Sequence, residues 1–326
     1  MAVLITGAGG MVGSHMAEIM FREGIEVIGT YYKPTVDMCE ISNDIKMIEC
    51  DVRYPKNIEK IIKQYMPDQI YHLAAQSYPT VSWDKPYETM DINIGGTIAV
   101  FETIKEIRKD CPHYNPVVIV ACSSAEYGQT LEEMDNEKVK ESAQLKPLHP
   151  YGVSKVGQDL IAYQYFANDG IRTIRARIFN TTGTRKRNDV TSDFTKRAIE
   201  QLYVNCENPV LSVGNINTER AIMDVKDLIA ALRALAEKGK AGEVYNISSE
   251  KVYKISDIIH MIENELKIQF QLHVEKELLR PTDERIIVGD VEKLKRETGW
   301  EQKVGLEQTV KEMLEYWKNK YKKQGA

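Results

Sequence analysis

The chain opens on a short apolar run, Val3-Leu4-Ile5, ended by Thr6-Gly7, and apolar residues then recur at helical spacing from Met11 to Phe21. This order predicts a strand, a glycine turn and a helix. Gly24 ends the helix, and the β-branched, partly alternating segment Ile25 to Thr30 predicts a second strand. Further strands are expected at Lys46 to Cys50, Gln69 to His72, Val117 to Val120 and Thr173 to Ile178. Helices are expected at Asn57 to Tyr65, Ile94 to Ile107 and Ser154 to Ala167. Strands alternating with helices imply a parallel sheet with right-handed crossovers and helices on both faces. The fold class expected is α/β, doubly wound.

The rhythm changes at Asn180. Asn180 to Asp189 is polar and rich in Thr and Arg, and the elements beyond it are shorter: strands at Val210 to Val213 and Tyr245 to Ile247, helices at Asp227 to Glu237, Ile255 to Leu266 and Gly305 to Trp317. Residues 1–180 are therefore expected to form a dinucleotide-binding domain that also receives a later segment near 215–250. Residues 181–326 are expected to form mainly a smaller α/β substrate lobe.

Composition narrows the function classes. Of 326 residues, 43% are hydrophobic and 28% charged, so a packed globular core is affordable and disorder is not indicated. A net charge of -5 with interspersed Lys and Glu leaves no footprint for nucleic acid. The basic tail Lys318 to Lys323 reads as a solvated helix end. The five cysteines show no C-x-x-C spacing, which argues against zinc and disulfides and for reduced, buried thiols. With no apolar run of about 18 residues and no charged leader, a cytoplasmic protein without a membrane partner is expected.

Two patterns carry chemistry. Gly7, Gly10 and Gly13 fall between the first strand and the first helix, where a tight turn lets the backbone approach a pyrophosphate at a helix N-terminus. The second strand runs into Tyr31-Tyr32-Lys33, without the acid that would select NAD, and Lys33 leans towards a 2′-phosphate. Tyr151 and Lys155 are four apart at the start of a helix and share a face, so the ammonium is expected to lower the phenol's pKa.

With His72-Leu73-Ala74-Ala75, Asp91-x-Asn93-x-x-Gly96-Thr97, Ser123 to Gly128 and Asn180, these motifs resemble the extended short-chain dehydrogenases/reductases of the nucleotide-sugar epimerase/dehydratase group. Val190 to Phe194, Gly214-Asn215, Arg220 and Leu279-Arg280-Pro281 are most similar to GDP-4-keto-6-deoxy-mannose reductases and GDP-mannose 4,6-dehydratases. The resemblance implies a Rossmann domain binding NAD(H) or NADP(H) through Gly7, Gly10, Met11, Val12, Gly13, Asp51, Val52, Leu73, Ala74, Ala75, Tyr151 and Lys155. It implies Ser123, Tyr151 and Lys155 as catalytic residues, with Asn180, Arg185, Val190, Arg220 and Arg280 on a nucleotide-sugar substrate. It also implies a homodimer or higher homo-oligomer built on the helices at Asp91 to Ile107 and Ser154 to Ala167.

Cys122 to Gly128 separates the reactions. In 4,6-dehydratases, by the same resemblance, a Glu two residues beyond the catalytic Ser or Thr removes the proton beside the 4-ketone; here that residue is Ala125, which cannot act as a base. The expectation is an oxidoreductase at the sugar 4-position, a 4-keto reductase or 4-dehydrogenase. The alternatives are a dehydratase that uses Glu126 or a 4-epimerase; a non-enzymatic nucleotide-binding sensor of this fold is disfavoured by intact Ser123, Tyr151 and Lys155. On an extended segment Glu126 would point away from the face that Ala125 shares.

Overall fold

The computed structural model describes residues 1–134, 137–204, 208–275 and 287–324. Its centre is a sheet built from β1 (Ala2–Thr6), β2 (Glu26–Tyr31), β3 (Lys46–Glu49), β4 (Gln69–His72), β5 (Val117–Ser123), β6 (Thr173–Ile178) and the strand Val244–Ile247. The order across the sheet is Val244–Ile247, β6, β5, β4, β1, β2, β3, and every pairing is parallel. The order reverses at β1, and a crevice opens beyond the strand ends at such a switch point. The doubly wound α/β fold expected from the alternation is the fold observed.

β1 feeds two cores. Val3 and Ile5 of β1 pack with Met16, Met20, Leu228 and Leu232 on one face. Leu4 between them packs with Ile58, Ile62, Val100 and Ile104 on the other. α1 (Met11–Arg22) and the helix Val225–Lys238 cover the first face. α2 (Pro55–Tyr65) and the helices Gly96–Asp110 and Pro150–Asp169 cover the second. A third core, with Phe194, Leu211, Ile258 and Leu314, lies within the later part of the chain, where Gln271–Val274 pairs in parallel with Val210–Val213.

Several elements differ from the sequence pattern in ways that bear on the site. The helix Pro150–Asp169 starts earlier than its apolar period suggests, because Pro150 occupies the first turn and His149 caps it, accepting from Gly152 N at 3.0 Å. Asp91–Gly95 is a π-turn ahead of the helix Gly96–Asp110. Val190–Val204 is a helix where the pattern gives none. Its apolar residues Phe194, Ala198 and Ile199 do fall at helical spacing, and Asp189 accepts from Ser192 N at 2.7 Å at its start.

Two other expectations are corrected. Cys50 and Cys122 are buried thiols, but Cys39 and Cys111 are exposed; Cys206 lies outside the described residues. The basic tail is not merely solvated, since Lys320 pairs with Glu40 at 2.6 Å. Among the described residues no helix is long and apolar enough to cross a membrane.

Candidate active site

A cleft of about 1610 Å³ opens at the strand ends. Gly7, Gly10, Met11, Val12, Gly13, Asp51, Val52, Leu73, Ala74, Ala75, Ser123, Tyr151, Lys155, Asn180, Arg185, Val190 and Arg220 all line it. The volume exceeds what one drug-sized ligand fills, about 300–1000 Å³, and suits a dinucleotide together with a second ligand. Arg280 lies outside the described residues, and Glu126 is not on the cleft wall.

The residues at the β1 end fit a dinucleotide. Gly7 has φ +73°, and a Cβ there would stand 2.8 Å from the Ala74 backbone. A Cβ on Gly13 would stand 2.5 Å from Gly7 O, so α1 can sit this close to the turn only with glycine. The result is bare backbone beside the open N-terminus of α1, where amides and helix dipole favour phosphate.

The neighbouring loop is held by a relay of buried polar groups. Leu73 N and Ala74 N donate to Thr6 Oγ1 at 3.1 and 3.2 Å, and Thr6 Oγ1 meets His72 Nδ1 at 2.9 Å. His72 Nε2 meets Thr97 Oγ1 at 3.1 Å, and Thr97 donates to Asn93 O at 2.6 Å. Burial, aided by the charge of Lys155, drives the His72 pKa down to about 3, so the imidazole in this relay is neutral.

Beyond β3, Asp51 lines the cleft but is already paired. Arg53 grips its carboxylate with Nε at 3.0 Å from both oxygens and Nη2 at 2.6 Å from one. Burial raises the carboxyl's pKa, but this pairing overcomes it and leaves the group below its ordinary value.

Tyr151 and Lys155 sit in the first two turns of their helix, Lys155 buried and Tyr151 partly buried on the cleft wall. Lys155 Nζ lies 5.8 Å from the Tyr151 ring centre and donates to Ala121 O and Gln158 Oε1, each at 2.8 Å. Ser123, at the end of β5, hydrogen-bonds the Tyr151 phenol. The expectation that Lys155 lowers the phenol's pKa is not met: burial pushes Tyr151 up to about 12, offset only in part by Ser123. The ammonium is drawn towards Ala121 and Gln158, and burial brings Lys155 itself down to about 8.

Asn93, which the sequence places in a motif without giving it a role, links these pieces. It accepts from Gln76 N at 2.8 Å and donates to Gln76 O at 3.1 Å and to Ser154 Oγ at 2.8 Å. Ser154 in turn donates to Tyr151 O at 2.7 Å. Asn93 lies within the π-turn Asp91–Gly95, and such turns recur at functional sites.

Ala125 faces the cleft, and Glu126 faces the protein. The cause is a 3-10 turn, Ser124–Glu126, rather than an extended segment. Ser123 Oγ accepts from Ala125 N at 3.2 Å, and Glu126 Oε1 accepts from Ser123 N at 2.8 Å. This is the capping box whose signature, Ser-x-x-Glu, stands in the sequence at Ser123-Ser124-Ala125-Glu126.

The predicted substrate arginines divide. Arg220 lines the cleft from the short strand Glu219–Ala221 and donates to Glu219 O at 2.8 Å. Arg185, expected on the substrate, is held by Glu18 Oε1 at 3.0 Å and Glu40 O at 2.6 Å, which makes it a brace between loop and α1. Both partners lie far away in sequence, so no local pattern reveals them.

This combination of glycine cradle, Ser123, Tyr151 and Lys155 on one switch-point cleft accords with the comparison to known sequences. The pattern of the GDP-mannose 4,6 dehydratase family matches residues 4–313. The chain belongs to that family. It is an NAD(P)-dependent enzyme of the extended short-chain dehydrogenase/reductase kind, from the group that acts on nucleotide sugars.

GDP-6-deoxy-D-mannose reductase of Pseudomonas aeruginosa is 26% identical over 259 residues, covering 79% of this chain and 83% of the relative. In fold the chain is similar to RMD from Pseudomonas aeruginosa complexed with NADPH, with TM-score 0.80, 23% identity and coverage of 98% and 99%. It is equally similar to UDP-glucuronic acid 4-epimerase from Bacillus cereus in complex with UDP-glucuronic acid and NAD, with TM-score 0.81, 24% identity and coverage of 98% and 100%.

Proposed function

We propose that this enzyme transfers hydride at the 4-position of a GDP-linked sugar and stops there, as a 4-keto reductase or 4-dehydrogenase. The observation that carries the reading is the turn after β5. Ala125, which bears no proton-accepting group, faces the cleft, while the next residue, Glu126, is buried behind it. Elimination across the 5- and 6-positions needs a base at the sugar, and neither residue offers one there.

Bound NAD(P) supplies the hydride donor or acceptor. Gly7, Gly10, Met11, Val12 and Gly13 would receive its pyrophosphate, with Asp51, Val52, Leu73, Ala74 and Ala75 along the adenosine side. Lys155 has three protons and two acceptors in Ala121 O and Gln158 Oε1, which leaves one proton for the nicotinamide ribose. Tyr151 exchanges a proton with the sugar O4, and Ser123 orients that oxygen. A phenol held at about 12 is protonated at neutral pH, the form that donates to a ketone oxygen. Asn180, Val190 and Arg220 would contact the nucleotide sugar, with Arg280 from beyond the described residues; guanidinium forks suit diphosphate oxygens.

The same reading includes a cytoplasmic homodimer. Ile98, Val153, Leu160 and Tyr163 are exposed on the helices Gly96–Asp110 and Pro150–Asp169, in the places where the family resemblance puts a four-helix interface.

Incubation with GDP-hexoses or their 4-keto forms, followed through the absorbance of the reduced nicotinamide, tests the reaction class. Net oxidation or reduction is expected. An unchanged absorbance with a dehydrated product means a dehydratase, and with an inverted 4-hydroxyl an epimerase.

A further inference from the structure

The carboxylate of Glu126 is fully buried under the catalytic turn, an expensive place for a charge unless its partners justify it. Glu126 Oε1 takes the Ser123 amide at 2.8 Å, and Oε2 takes Arg177 Nε at 3.1 Å. Arg177 Nε also meets Asp159 Oδ2 at 3.0 Å, and Asp159 Oδ1 pairs with Arg175 Nη1 at 2.6 Å. Asp159 lies one turn beyond Lys155 on the helix Pro150–Asp169, while Arg177 stands on β6. One side chain thus joins the end of β5 to the helix that carries Tyr151 and Lys155. An apolar residue of similar size would fill the same space, yet it would leave the Ser123 amide without this acceptor.

We propose that Glu126 is a positioning residue of the hydride-transfer site: it fixes the turn that aims the Ser123 hydroxyl and keys that turn, through Arg177, to Asp159 on the helix bearing Tyr151 and Lys155. The inference rests on the reading that Ser123, Tyr151 and Lys155 carry the chemistry. It assigns Glu126 no contact with substrate.

The charge of Glu126 also reaches the two ionisable groups of the site, raising the proton affinity of both Tyr151 and Lys155. The groups that face it are Cys122 on β5, Tyr127 on its own turn, Tyr151, Lys155 and Asp159 on the helix, and Arg177 on β6. Of these, Asp159 opposes its ionisation and Arg177 favours it, while burial, the largest influence, keeps its pKa well above the ordinary carboxylate range.

The test compares Glu126→Gln, Glu126→Val and Ser123→Ala in the full chain, measuring kcat, both KM values, the pH profile of kcat/KM and the melting temperature. Gln keeps an oxygen for the Ser123 amide but turns its NH2 towards Arg177 Nε, donor against donor, so it preserves the turn and loses the link to Asp159. It is expected to lower kcat about 3- to 10-fold, less than Val, and, by losing the charge, to move the alkaline limb of the profile to lower pH. Val removes both acceptors and should lower kcat about 10- to 100-fold with the cofactor KM unchanged. A folded Val variant with native kcat overturns the proposal, as does a Gln variant with native kcat. If Val does not fold, the kcat of the Gln variant decides alone. Full activity in Ser123→Ala would instead remove the underlying reading of the site, and the proposal with it.

Discussion

Asn93 Nδ2 donates to the Ser154 hydroxyl at 2.8 Å, so the π-turn before the helix Gly96–Asp110 is bonded to the helix that presents Tyr151. The same amide side chain brackets Gln76 through N and O. Cofactor loop and catalytic helix therefore share one buried anchor. Asn93→Ala should cost about 1–3 kcal/mol, because the fully buried Ser154 hydroxyl and the partly buried Gln76 N each lose a partner. Chemical denaturation measures that loss, and kcat should fall with it.

Tyr151→Phe removes the proton donor and leaves the ring in place. Turnover should drop by a factor on the order of 100 or more, while cofactor affinity, measured by nicotinamide fluorescence titration, stays near native. Full activity in this variant would exclude Tyr151 as the acid/base group.

His72 gives the fold a definite response to acid. Its imidazole is held at about 3 in the folded protein, against 6.5 when exposed, so between those values the unfolded chain binds a proton that the folded chain refuses. The neutral imidazole's contribution is present above pH 6.5 and is lost as pH falls towards 3. Denaturation midpoints across this window should fall for the native protein, and more shallowly for His72→Gln.

The choice between the two cofactors turns on the end of β2. Lys33 lines the cleft, and Asp51, the nearest acid after β3, is neutralised by Arg53. A 2′-phosphate should thus be favoured. Lys33→Glu is expected to raise the KM for NADPH about tenfold, the effect of losing roughly 1.4 kcal/mol, with a smaller change for NADH. Initial rates with each cofactor check this.

What the sequence makes legible here is short-range. Gly7, Gly10 and Gly13 recur at intervals of three, and Tyr151 and Lys155 are one helical turn apart, so their shared environment follows from local geometry. The sheet follows from alternation in the same way. Ala125 and Glu126 are a mixed case: an extended reading and the observed 3-10 turn both put them on opposite sides, but only the Ser-x-x-Glu capping signature accounts for where Glu126 goes. The partners of Arg185 and Asn93 are set by tertiary contacts with Glu18, Glu40, Gln76 and Ser154, and spacing along the chain does not encode them. The Tyr151 pKa belongs there too, since the depth of burial that raises it is a property of the assembled cleft.

Hydride transfer without elimination is tested most directly by tracing the hydride. A GDP-4-keto-6-deoxy sugar is incubated with nicotinamide cofactor deuterated at the transferring position, and the product is read by NMR and mass spectrometry. Stoichiometric deuterium on C4 of the sugar, with cofactor oxidised in equal amount and no water lost, is the predicted result. Recovery of unlabelled 4-keto sugar, together with catalytic water loss from a GDP-hexose bearing a 6-hydroxyl, would contradict it.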